Sequence, residues 1–294
     1  PTPCSAVWTA VSFAGGGSDL AAFYEREPGC VLSTSINKYM YILIHPYFDP
    51  SKSLLKYAKT ELVDKLDDIQ HPLIREALRK FNLNRVDITS IAANPGGPGI
   101  LREPIGKQDQ YAASYGVLNF ITFFPNGSVG VEPIRLLPDK FKALQENLVM
   151  FYLGQNRKAG DILKDQRSNM MSEGKAIENL RKMCGLARTL RDSLQRQNLD
   201  DFGAILHEGW LLKQSLSQKI SSDDINHYYQ LGIDSGATGG KLLGAGGSGF
   251  LLFYCKKEHQ EKLKQALGLR QIKFRFDTFG SKVFYVGDAT MDWE

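Results

Sequence analysis

GGKLLGAGGSGFLLF, residues 239–253, sets six glycines around one lysine and then runs directly into an apolar strand. Glycine carries no Cβ, so a run of this kind lets main-chain N–H groups converge on an anion at short range, at positive φ. A phosphate-sized ligand suits such a cradle. A flexible linker would be polar on both sides and would not end in Phe250, Leu251, Leu252 and Phe253.

Outward from this stretch, the chain of 294 residues is long for one core and comfortable for two units, and 43% hydrophobic residues can bury a substantial interior. No apolar run approaches the roughly 20 residues of a membrane span, and PTPCSAVWTA lacks the charged start and apolar block of a signal peptide. The expectation is a soluble, cytoplasmic protein with no membrane partner. Cys4, Cys30, Cys184 and Cys255 are scattered, without a CxxC pair or histidines at ligand spacing, so reduced thiols are expected in place of a zinc site. A net charge of +4 without a dense basic block argues against nucleic acid and suits anionic small molecules.

Hydrophobic periodicity reads as strand at 11–13, one or two strands over 30–47, a helix carrying Leu73, Ala77, Leu78 and Phe81, and strand at 86–91. Residues 52–66 are ambiguous. A hairpin is expected around PNGS, with Asn126 and Gly127 as a two-residue type I′ turn. After Pro138 come a strand at 148–153 and mostly helix over 159–230. The expected breaks lie at Gly174, at 198–200, and at Ser221, which with Asp224 reads as an acidic capping box. Strand 250–255, helix 257–267 and strands 271–276 and 282–286 close the chain. The fold class is α+β, with a β-rich first part, 1–137, and a helical run closed by an α+β unit, 138–294.

Two further motifs share the glycine-rich, polar character. AGGGSD, residues 14–19, ends a strand, where bare main chain approaches a ligand and Asp19 can accept from hydroxyls; a tight turn capped by Ser18 or Asp19 fits equally well. GKQDQ, residues 106–110, offers Asp109 as a base for a hydroxyl, or simply as an acid in the first turn of a helix. Arg157 and Lys213 could carry cations toward a phosphorylated sugar or sit as solvated helix charges. Trp210 reads as a packing residue and His207 as a structural one.

In this order the motifs resemble the GHMP kinase superfamily, through VSFAGGGSDLAAFY, LREPIGKQDQYAASYG, FYLGQNRKAGDIL, HEGWLLKQSLS and GATGGKLLGAGGSGFLLF. The branch these look most like contains D-glycero-D-manno-heptose 7-phosphate kinase. The resemblance implies a ribosomal-S5-like N-terminal domain, a ferredoxin-like C-terminal domain with extra helices, and a site between them. It also implies ATP and Mg²⁺ as cofactors and transfer of the γ-phosphate to the anomeric hydroxyl of a heptose phosphate, in nucleotide-heptose biosynthesis. A fucose- or galactose-type kinase, or a catalytically impaired sugar-phosphate or nucleotide-binding protein, is the alternative. Small molecules are the expected partners, and a homodimer is compatible with the resemblance.

The same resemblance assigns Asp109 as the catalytic carboxylate. It places Gly15, Gly16, Gly17, Ser18, Asp19, Lys107, Gln108, Arg157 and Lys213 around the sugar. Pro95, Gly96, Gly97, Lys241, Gly244, Ala245, Gly246, Gly247, Ser248 and Gly249 fall beside the nucleotide phosphates. Metal ligands are not assigned. Two departures stand out. Family members carry a PxGxGLGSSS-like loop that opens a phosphate-binding helix, whereas here AANPGGPGI, residues 92–100, is followed by five residues and then GKQDQ. Neither that helix nor the Mg²⁺ ligands it brings fit into five residues, so the nucleotide loop is expected to be truncated near 92–103. Ala10 also stands where members often have an arginine.

Overall fold

Val11 and Phe13 point into one core while the half-buried Ser12 faces the other side, the alternation expected of a strand with one face on the core. In the computed structural model the described residues are 3–92, 106–154, 165, 168, 174–217, 219–244, 246–247 and 249–286. In chain order these form β1 (Pro3–Ala14), α1 (Ala21–Tyr24), β2 (Gly29–Pro46), β3 (Ser53–Lys56), β4 (Thr60–Val63), α2 (Pro72–Lys80) and β5 (Val86–Ala92). Then follow α3 (Gln108–Tyr115), β6 (Leu118–Phe123), β7 (Val129–Pro133), α4 (Pro138–Asn147), β8 (Leu148–Gly154) and α5 (Gly174–Gln195). The chain continues with α6 (Phe202–Gln214), α7 (Asp223–Asp234), β9 (Ala237–Leu242), β10 (Gly249–Cys255), α8 (Gln260–Leu267), β11 (Arg270–Ile272) and β12 (Lys282–Val286).

The result is an α+β molecule with two sheets. The first has eight strands, ordered β12-β1-β2-β5-β3-β4, with β6 also on β2 and β7 on β6. The second has four, ordered β11-β8-β10-β9, and its pairings are antiparallel. The two sheets share one apolar core. Phe13 of β1 meets Phe202 of α6 edge-on at 5.2 Å and Phe276 at 6.2 Å, so the strand ending in AGGGSD is anchored against the helices of the second sheet. The chain's end returns to the first sheet. Asp277 and Ser281 hydrogen-bond to Ser35, Val117 and Ala113 around α3, and β12 then pairs with β1.

Several details differ from the sequence reading. Residues 30–47 make one long strand, which bends from β6 to β5 as its partner. The ambiguous stretch 52–66 holds the β3–β4 hairpin, with β3 parallel to β5. At PNGS only Gly127 takes positive φ, +82°, and Gly127 N–H donates to Phe124 O at 2.9 Å. Pro125 presets a negative φ for the first turn position, so a three-residue loop ending in a left-handed glycine replaces the type I′ turn. The cap of α7 is one residue later than expected: Ser222 Oγ accepts Ile225 N–H at 3.4 Å, and Ser221 turns to Asn226.

Candidate active site in the seam between the two sheets

The AGGGSD loop is built on its neighbour. Gly15 has φ +87°, and a Cβ there would lie 2.0 Å from Cys30 O. Only glycine fits. Ser18 Oγ lies 2.8 Å from Gly15 O and 2.9 Å from Cys30 O, and accepts Cys30 N–H at 3.0 Å. Ser18 therefore holds the loop to β2 and does not reach toward a ligand. Asp19 is also buried. Its Oδ1 accepts Gly17 N–H and its Oδ2 accepts Gln108 N–H, each at 3.1 Å, so it ties the loop to the first residue of α3. Burial pushes its carboxyl up, against the pull of those two N–H bonds and of the Lys213 charge.

This tie places Asp109 in the first turn of α3, beside Asp19 and facing two lysines. Its side chain is open to solvent. Desolvation, then the nearby Asp19 charge, raise its pKa to about 6, against the opposing fields of Lys213 and Lys241. Asp109 makes no hydrogen bond among the described residues.

Both lysines come from the second sheet's side. Lys213, on α6, is buried; its Nζ donates to Gly244 O at 2.5 Å and Leu242 O at 3.4 Å. Burial lowers its pKa to about 8, with Asp109 and Asp19 holding it up. Lys241, on β9, crosses the seam so that its Nζ lies 3.3 Å from Phe13 O and 3.5 Å from Ser12 Oγ. Burial, then repulsion from Lys213, lower it well below the ordinary lysine range. Neither lysine forms an ion pair among the described residues. Two buried amines without a carboxylate partner among the described residues make a seat that an anion would complete, drawing the proton back onto Lys241.

Of the other candidates, Gln108 joins the cluster: its side chain borders Gly16, as Ser12 Oγ does, and its Oε1 is buried without a partner among the described residues. Lys107 does not. Its ammonium lies over the Tyr24 ring at 4.4 Å and donates to Gly127 O at 3.3 Å, on the hairpin side. Gly244, Gly246, Gly247 and Gly249 all take positive φ, and Gly247 N–H donates to Ile220 O at 2.8 Å. Arg157, Pro95, Gly96, Gly97, Ala245 and Ser248 lie outside the described residues. Trp210 is fully buried, and His207 Nδ1 is 2.7 Å from Tyr229 OH. Ser12 and Cys30 were not singled out from the sequence. Ser12 sits just ahead of AGGGSD on the face opposite Phe13, which is the one signal that pointed to it.

Residues 190–271 match the family model described as GHMP kinases C terminal. Over 89% of its length the chain is 25% identical to a D-glycero-alpha-D-manno-heptose 7-phosphate kinase of Campylobacter jejuni, covering 91% of that protein. The chain is thus similar to GHMP kinases, through the family model in its C-terminal part and through this relative along most of its length. A stretch of 171 residues, 55% of the chain, is 29% identical to the bifunctional fucokinase/GDP-fucose pyrophosphorylase of Arabidopsis thaliana, of which it covers 16%. Among solved structures the fold matches a D-glycero-D-manno-heptose 1-phosphate kinase from Bacteroides thetaiotaomicron with a TM-score of 0.75, at 20% identity, over 97% of this chain and 100% of that one.

The cluster draws on both sheets: Asp19 and Asp109 come from the side of the first, Lys213 and Lys241 from the side of the second. The alignment with the Campylobacter protein runs over 311 positions against 294 residues here, so that relative has residues without a counterpart in this chain. The segment 92–103, expected to be truncated, lies outside the described residues apart from Ala92. Among the described residues no helix is long and apolar enough to cross a membrane, and no three His, Cys, Asp or Glu side chains gather as a metal site.

Proposed function

We propose that this protein is a GHMP kinase that transfers the γ-phosphate of ATP to the anomeric hydroxyl of D-glycero-D-manno-heptose 7-phosphate. The observation that carries the reading is the Asp109 carboxylate facing two buried lysines, all three without an ion-pair partner among the described residues. Its likeness to a protein named as a heptose 7-phosphate kinase over most of both chains supports the choice of sugar. We take the eight-stranded unit as the S5-like domain and the four-stranded unit as the ferredoxin-like one.

In this reading Asp109 accepts the proton of the attacking hydroxyl on a carboxylate oxygen. A pKa of about 6 keeps it mostly ionised at neutral pH while leaving it basic enough to take that proton. Lys213 and Lys241 offset the charge on the phosphoryl oxygens, a stabilisation that needs no covalent enzyme intermediate. Asp19 positions α3 through Gln108 N–H. The main chain of residues 15–17 borders the sugar, and that of the 244–249 loop borders the phosphates. Mg²⁺ accepts one or two carboxylates together with phosphate oxygens and water. Both oxygens of Asp19 already accept N–H groups, so Asp109 is the cluster's one free carboxylate and the ion would rest mainly on phosphate and water. When bound, it supplies further charge neutralisation on the phosphates.

The likeness to the fucokinase favours a second reading, an unphosphorylated sugar as acceptor. ADP release measured with heptose 7-phosphate, fucose and galactose separates the two. Turnover with the heptose phosphate alone is expected. Turnover with fucose or galactose and none with the heptose phosphate would overturn the first reading.

A further inference from the structure

Two thiols that the proposed chemistry does not use lie face to face beneath the AGGGSD loop. Cys30, on β2, and Cys184, on α5, are 1% and 2% exposed, and Cys30 Sγ donates to Cys184 O at 3.5 Å. They are 154 positions apart in sequence and belong to opposite walls of the seam. The main chain of Cys30 is also the seat of the loop. A Cβ on Gly15 would lie 2.0 Å from Cys30 O, and one on Gly29 would lie 2.0 Å from Ser18 O. Ser18 Oγ bonds both main-chain groups of Cys30. On the other side, Leu180, one turn before Cys184 on the same face of α5, packs against Gly17, where a Cβ would lie 3.3 Å from Leu180 Cδ2.

We propose that Cys30 and Cys184 are an oxidation site: a hydroperoxide converts them to a disulfide that ties β2 to α5 and shifts the AGGGSD loop. The bond requires the sulfurs to close to about 2.05 Å. Interiors packed this tightly transmit such a displacement, and here the main chain that moves is the one on which Gly15 and Ser18 rest.

The contact of the Cys30 thiol with the Cys184 side chain makes Cys184 the easier of the two to ionise and raises the pKa of Cys30. Cys184 is therefore the attacking thiolate. Its sulfur bonds one peroxide oxygen, the O–O bond breaks, and the departing oxygen takes up a proton and leaves as water. The Cys30 sulfur then displaces the sulfenic hydroxyl, which leaves as water with the Cys30 proton while the S–S bond forms. The two thiols lose two electrons and the peroxide gains them. Cys255 does not compete: its pKa is pushed up to about 11, and its Sγ is occupied with Gly236 O and Lys256 O.

Hydrogen peroxide titration of the folded Cys4→Ser protein tests this, with non-reducing peptide mass mapping and hydrogen–deuterium exchange as readouts. The expected result is a peptide pair linked through Cys30 and Cys184. Residues 14–19 should exchange at least fivefold faster, and dithiothreitol should reverse both effects. Cys184→Ala should show neither. Absence of the linked pair at peroxide levels that oxidise exposed methionines would overturn the proposal, as would a linked pair without a change in the loop. Neither readout needs turnover, so the result stands apart from the assignment of the reaction.

Discussion

The Asp19 carboxylate accepts the main-chain N–H of Gln108 at 3.1 Å, and this bond fixes where Asp109, the next residue, stands. Replacing Asp19 with Ala removes the acceptor for both Gly17 and Gln108. At about 1–3 kcal/mol for each stranded N–H, the variant should lose about 2–6 kcal/mol. Urea denaturation reads this directly. Gly106→Ala should act alike from the other side, because its Cβ would sit 1.6 Å from Asp19 Oδ2. An unchanged urea midpoint in both variants would contradict the assignment of this bond as a structural tie.

The rate should follow a bell-shaped pH profile. Asp109 must be ionised to accept a proton, so kcat/KM should fall on the acid side near its pKa of about 6. Lys213 loses its charge near 8, which sets the alkaline limb. Lys213→Arg should move that alkaline limb upward if the variant retains activity.

Stability carries the same signature with a definite sign. Asp109 is raised from the ordinary 3.8, so the folded state holds its proton more tightly than the unfolded chain. The stability this gives is full below 3.8 and is lost as pH rises through about 6. Asp109→Asn, permanently neutral, should therefore gain Tm relative to the parent at pH 7 and show no such gain at pH 3.5. Paired thermal melts check it.

Lys241→Met should separate folding from function. Removing a cation that aids only the charge-developing step costs about 10²–10³ in rate in comparable sites. The same change relieves a buried charge with no ion-pair partner among the described residues, so Tm should hold or rise. Single-turnover kinetics alongside melting curves decide between this and a purely structural lysine, whose loss would lower Tm.

Much of this was legible in the sequence, for identifiable reasons. Within the glycine runs, Gly15 and Gly246 mark close main-chain approach, and the helices α5, α6 and α7 are legible because they bury one face. Gly239 and Gly240 read equally well as part of the anion cradle, yet they lie within β9. A Cβ on Gly239 would fall 1.8 Å from Gly203 O, so its bareness serves the docking of α6. Sequence spacing does not distinguish a glycine emptied for a ligand from one emptied for a helix. Lys107 and Lys241 show a similar limit. Lys107 is two residues from Asp109 but turns to Tyr24, whereas Lys241 reaches the end of β1 from 229 positions away because the seam brings the sheets together. The PNGS turn was misread because the preset φ of Pro125 outweighs the Asn-Gly signal.

The most direct test of the central claim is single-turnover phosphoryl transfer from ATP to D-glycero-D-manno-heptose 7-phosphate by the parent and Asp109→Asn, each verified as folded by its melting curve. The account predicts transfer by the parent and, from loss of general base catalysis, a rate about 10²–10⁴ lower in the variant. Transfer at the parent's rate by a folded Asp109→Asn protein would contradict it.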